Sequence, residues 1–201
     1  MRTLHTSRHL TPCLVAICLV VGLATCDVNA VPRQDEAVNA AWSQVLNQYQ
    51  RRAELIPNLV ETVKGYAHQE QQVLVAVTAA RAEATQIQLP ADLLTNPEAF
   101  RQFEQNQSAL RGALGRLLAV SESYPALKSD QNFLTLQSQL EGTENRIAVA
   151  RRDYIGTVRA YNTTLRTIPG RWVAAVLYPD ARTKETFTIS EQAQQTPQVK
   201  F

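Results

Sequence analysis

Apolar side chains recur through Val38–Ala84 at alternating steps of four and three, at Val38, Trp42, Val45, Tyr49, Ile56, Leu59, Val63, Tyr66, Val73, Val77 and Ala80. Arg52 and Glu70 are the polar interruptions. Return to one face about every 3.5 residues is the coiled-coil period, so this stretch is expected to form one long helix packed lengthwise on partners. Pro57 lies inside it. A proline removes one backbone hydrogen bond and bends the axis, but a full break normally loses the phase, and here the phase is kept. The expectation is a kinked helix of about 47 residues, ~70 Å long at ~1.5 Å of rise per residue. It is expected to start near Asp35 as N-cap and to be finished by Pro90.

A second arm starts at Asn96-Pro97-Glu98, which supplies a cap, a first-turn proline and an acid at the positive end of the helix dipole. Phe100, Phe103, Leu110, Leu114, Leu117 and Tyr124 keep the same stepping, with Gln107 and Ser121 as polar members. Pro125 closes it. The connection Pro125–Asp130 is short, so the next helix is expected to fold back antiparallel. That helix is expected to run from about Asp130 to Ile168 and to bury Phe133, Leu136, Leu140, Ile147, Ala150, Tyr154, Val158, Tyr161, Leu165 and Ile168. Two successive steps of four between Ala150 and Tyr161 form a stutter. Trp172–Tyr178 is a short apolar run that can fold back onto the bundle or dip into a bilayer surface; burial on the bundle is the commoner fate. The polar stretch 179–201 is expected to be disordered.

These patterns predict an all-α, antiparallel up-and-down bundle of long helices. It has four helices if Pro57 divides the first, or three long arms if Pro57 only bends it. The bundle is assigned to 35–178, with a tether over 27–34.

Residues 1–26 differ from the rest. Arg2 and Arg8 precede an apolar run, Cys13–Ala24, and no acid occurs before Asp27. This is the layout of an export signal, and the run is well short of the ~20 residues of a membrane-spanning helix. The basic residues ahead of it place the preceding segment on the cytoplasmic side. All three cysteines, Cys13, Cys18 and Cys26, fall here, so disulfides cannot hold the rest of the chain together.

Beyond residue 26 the chain carries 18 basic and 18 acidic residues. A neutral domain without a basic stripe lacks the footprint of a nucleic-acid binder. After residue 26 the only histidine is His68, and no Glu-x-x-His pair is present, so no metal site is expected. No Gly-x-Ser-x-Gly turn, thiol nucleophile or glycine-rich phosphate loop is present either. The chain therefore reads as neither an enzyme nor a cofactor protein.

Two blocks carry a resemblance. "YQRRAELIPNLVETVKGYA" (Tyr49–Ala67) and "LEGTENRIAVARRDY" (Leu140–Tyr154) resemble the signature segments of the LemA family of bacterial membrane-associated proteins. The resemblance implies a four-helix bundle at the inner membrane, on its periplasmic or outer side, with other envelope proteins as partners and no assigned activity. Leu23-Ala24-Thr25-Cys26 is similar to a lipobox, with Thr25 where Gly, Ala or Ser is usual. Cys26 is thus the candidate lipidation site, and Asp27 after it resembles an inner-membrane retention signal.

Within the blocks, Arg52 sits at a core position where its stem can pack while its guanidinium reaches a carboxylate on another helix. Thr143 is expected to face the core, Gly142 to admit a neighbouring helix, and Asn58 to satisfy the carbonyl freed by Pro57. Such polar groups commonly fix register. Arg52, Glu70, Glu144 and Arg151 are the candidates for a polar patch that binds a partner protein. The competing expectation is an envelope binding protein that holds a lipid or small apolar ligand within the bundle, which requires a continuous interior cavity.

Overall fold

A computed structural model describes residues 27–85 and 90–188. The export segment 1–26, with Cys26, and the end of the tail, 189–201, lie outside these residues. Among the described residues the fold is all-α, and no helix is long and apolar enough to cross a membrane. In chain order the helices are α1 (Ala30–Tyr66), α2 (Gln71–Thr85), α3 (Pro97–Val120), the single turn α4 (Pro125–Lys128), α5 (Gln131–Arg166) and α6 (Gly170–Leu177). Short 3-10 turns cover Leu93–Thr95 and Ser121–Ser123.

The core falls into two apolar clusters stacked along the bundle axis. One collects Val38, Trp42 and Tyr49 of α1, Phe100 and Phe103 of α3, and Ile147, Tyr154 and Tyr161 of α5. The other collects Ile56, Leu59 and Val63 of α1, Leu74 and Val77 of α2, Leu110 and Leu117 of α3, and Phe133 and Leu140 of α5. The order in which each helix visits the clusters gives its direction. α1 and α3 run from the first to the second and α5 runs back; α2, confined to the second, also runs back, since Arg81 reaches Ala53 of α1 after the turn at Ala67–Glu70, so the topology is up-down-up-down.

Several expectations need correction. Four helices pack, but the division is at Ala67–Glu70 rather than at Pro57, which stays inside a continuous α1. Across the turn the buried positions move from the expected Tyr66, which is 41% exposed, and Val73 to Ala67 and Leu74, so the apolar pattern continues past the break by one-residue substitutes. α1 starts at Ala30 with Asn29 as N-cap, not at Asp35, so most of the expected tether is helical and Val31 belongs to the first cluster. The second arm stops at Val120, before Pro125. Gly142 admits no helix, since a Cβ there would meet only the Arg146 guanidinium at 3.8 Å. Other signals lead to the expected geometry. Asn96 Oδ1 accepts from the amides of Glu98 and Ala99, and Asp130 Oδ1 accepts from the amide of Phe133 at 2.8 Å, starting α3 and α5. Thr143 is fully buried.

α2 has 15 residues against 37 in α1, so it covers only the half of the bundle around the second cluster. The first part of the tail completes the other half, against the expectation of disorder. Residues 179–188 lie along the bundle, with Phe187 buried among Trp42, Phe100 and Tyr154 at ring-centroid separations of 6.0, 5.2 and 5.6 Å. Backbone groups fasten this strap. Tyr154 Oη donates to Glu185 O at 2.7 Å, and the Glu185 amide donates to Leu94 O at 2.7 Å. Asn162 pairs in both directions with the Lys184 backbone, and Lys184 Nζ reaches Asp35 at 2.9 Å. Burial, aided by Glu185, raises the Tyr154 phenol far above its ordinary value, so it stays a donor.

Candidate functional site

A polar layer separates the two clusters. Its centre is Arg52, a side chain only 2% exposed that α1 carries at a core position. Arg52 Nη1 donates to Glu144 Oε1 of α5 at 2.9 Å, and Nη2 donates to Gln107 Oε1 of α3 at 2.6 Å. Gln107 Nε2 in turn donates to Ala84 O near the end of α2 at 3.2 Å. One connected set of hydrogen bonds thus ties all four long helices at a single level. The Arg52 guanidinium lies 5.0 Å from the centre of the Tyr49 ring, and Arg111 Nε stands 3.9 Å from the second Glu144 oxygen. Arg52 Nε has no partner among the described residues. A lone buried cation is prohibitive, so this layer persists only because carboxylate, amide and ring surround it together.

Roughly two turns further along α5, Arg151 makes a second pair, Nη2 to Glu104 Oε1 at 3.7 Å, and stacks over Phe187 at 4.1 Å. Glu104 also accepts from the Thr188 amide at 3.3 Å. Burial raises the Tyr49 phenol while the Arg151 and Arg52 charges oppose the shift, so the hydroxyl stays protonated.

The four sequence candidates therefore do not form one patch. Arg52 and Glu144 meet directly, and Arg151 occupies the neighbouring layer. Glu70 lies in the α1–α2 turn, roughly 20 Å along the axis from Arg52, where it accepts from Tyr124 Oη at 3.1 Å. Nothing in the sequence pattern singles out Glu104 or Arg111, and Gln107 shows there only as a polar member of a seam, with no partner indicated. The available signal was a polar residue at seam positions of three facing helices, Arg52, Gln107 and Thr143, which antiparallel packing brings to similar depth. Asn58 is exposed and is not what satisfies the Ala53 carbonyl that Pro57 leaves free; that carbonyl accepts from Arg81 Nε of α2 at 2.9 Å.

The charged groups of the layer face one another. Its carboxylates are occupied by guanidinium and amide donors. Among the described residues no group of three or more His, Cys, Asp or Glu is placed to hold a metal. His68 is exposed beside Lys64 O. A cleft of about 390 Å³, lined by Tyr49, Ala53, Ala84, Phe103 and Gln107, opens on the flank where α2 ends. Another of about 700 Å³ lies between the start of α1 and residues 177–184. The first lies beside the polar layer and the second at the end of the bundle.

Comparison with known proteins adds a family and a partial likeness. The model of the LemA family matches residues 41–201. Magnetosome proteins MamQ 2 and MamQ 1 of Paramagnetospirillum magneticum are each 36% identical over 64 residues, which is 32% of this chain and 24% of theirs. Magnetosome protein MamQ of Magnetospirillum gryphiswaldense is 31% identical over the same length and shares. The match thus spans about a quarter of these curated relatives.

Proposed function

Because the chain belongs to the LemA family, we propose that it is a membrane-held scaffold or protein-interaction module of the bacterial envelope, without catalytic activity. Its bundle stands on the outer side of the inner membrane, carried by lipid on Cys26 or by an uncleaved apolar anchor. The observation that supports this reading is the mutual pairing of the polar layer's charged groups. The charged residues that the signature blocks place inside, Arg52 and Glu144, are engaged with each other and with Gln107. Such a layer fixes helix register and leaves the outer surface for contact.

Two measurements test the reading. The mass of the mature amino terminus, with and without Cys26→Ala, decides the anchor; an unlipidated mass unchanged by the substitution rules out the lipoprotein form. Crosslinking in intact cells decides the role, and a chain that crosslinks to nothing is not a scaffold. The carrier alternative requires an axial cavity lined by the seam residues, which the packing of those residues against one another in two clusters does not favour.

A further inference from the structure

The short helix α6 buries one face and leaves the other bare. Ala174 is buried against the bundle, whereas Trp172 and Val176, one turn apart on the opposite side, are 63% and 79% exposed. Ile168 and Leu177 add to the same apolar surface, each more than half exposed. The expected burial of Ile168, Trp172, Val176 and Leu177 is thus not what the fold does: α5 ends at Arg166, before Ile168, and α6 turns only its Ala174 side to the bundle. α6 follows the end of α5, and its last residues share a cleft with Val31 and Pro32 at the start of α1. The bare surface therefore lies at the end of the bundle where the chain arrives from its apolar run Cys13–Ala24. The strap does not cover it, because residues 179–188 run away from this end toward Glu104.

We propose that the exposed face of α6 lies in the headgroup and upper acyl region of the bilayer that holds the chain, as a second, non-covalent foot beside the amino-terminal anchor. This rests on the membrane-held reading above. Three observations select lipid as the occupant. The apolar run ends a few residues before Asp27, so an anchored chain holds this end of the bundle within reach of the bilayer surface. Tryptophan with aliphatic neighbours on a short helix suits the interface, where ring and methyls enter the acyl boundary. Arg166 and Arg171 flank the patch, both exposed, and no carboxylate among the described residues pairs with them, which leaves their guanidiniums for lipid phosphates.

Trp172 is its own probe, since the chain has two tryptophans and Trp42 is buried in the core. The full chain is reconstituted in vesicles of phosphatidylethanolamine and phosphatidylglycerol carrying bromine on the acyl chains near the headgroups. Flotation and tryptophan emission are read together for the wild type and Trp172→Phe. The exposed site tolerates that change. The proposal expects both proteins to float, and the bromolipid to quench the Trp172 contribution at least about twofold, a loss absent from Trp172→Phe. A chain that floats with Trp172 unquenched overturns the proposal and leaves the anchor standing. Trp172 shielded from aqueous quencher but not reached by bromolipid overturns it in favour of a second protein copy. A chain that does not float overturns the anchor, and the proposal with it.

Discussion

Arg81 of α2 donates Nε to the carbonyl oxygen of Ala53 at 2.9 Å, and Ala53 stands four residues before Pro57. In a regular helix that carbonyl would accept from the amide at position 57, which proline lacks. The neighbouring helix thus supplies the donor that α1 cannot, so a proline lies within a 37-residue helix without breaking it. Arg81→Met should cost about 1–2 kcal/mol in urea unfolding, because it strands a buried acceptor. The same change should cost clearly less in a Pro57→Ala background, where the restored amide reclaims the Ala53 carbonyl. Equal costs in both backgrounds would refute this account of the kink.

The polar layer makes a sharper prediction. Glu144→Leu leaves the Arg52 charge with Gln107 and the Tyr49 ring alone, and should cost about 3 kcal/mol. Arg52→Met removes the buried charge itself, so the double variant should be more stable than the sum of the single losses implies. A double-mutant cycle by chemical denaturation should give a coupling of about 1–3 kcal/mol. Gln107→Leu should also be destabilising, through the stranded Arg52 Nη2 and Ala84 carbonyl.

Phe187 closes the half of the bundle that α2 does not reach. Phe187→Ala should cost at most about 3–5 kcal/mol and release the strap before the bundle unfolds. Trp42 emission should shift to the red, and trypsin should cut after Arg182 and Lys184 faster than in the wild type. A strap as resistant as before would contradict the role given to this ring.

Acid should loosen the start of α5. The Phe133 amide and the Tyr66 hydroxyl hold the Asp130 carboxyl below its ordinary value. A depressed folded-state value means that the contribution is present above the unfolded-state value of about 3.8 and is lost as pH falls through the folded one. Thermal melts between neutral pH and strong acid should therefore show a smaller acid-side loss in Asp130→Asn than in the wild type. Tyr66 donates to the same carboxylate, which raises its own phenol, so no opposing effect is expected at acid pH.

The heptad stepping made the long helices legible, since Trp42, Val45, Tyr49, Ile56, Leu59 and Val63 are all buried as the pattern requires. It could not show the turn at Ala67–Glu70. A chain that reverses tightly and brings Ala67, Leu74 and Val77 back to the same core preserves its apolar rhythm through the reversal. Pro57 was the stronger local signal, yet a donor 24 residues later in sequence cancels its effect. Arg52 was readable as a buried cation because it interrupts a seam, and Glu144 as a candidate partner because it lies in the second block. Glu104 and Arg111 lie outside both blocks, and only the packing of α3 against α5 brings them in. Phe187 sits in a polar stretch without periodicity, and its burial follows from the shortness of α2, a non-local property.

The central claim is that the outer surface, rather than the interior, does this protein's work. Photoreactive residues placed at Val75, Leu134 and Val149, exposed apolar positions on α2 and α5, test it most directly when the full chain is irradiated in its own cells. The account predicts discrete adducts of higher mass from at least one position, recovered with membranes and retained in Glu144→Gln. Monomeric mass at every position would contradict it.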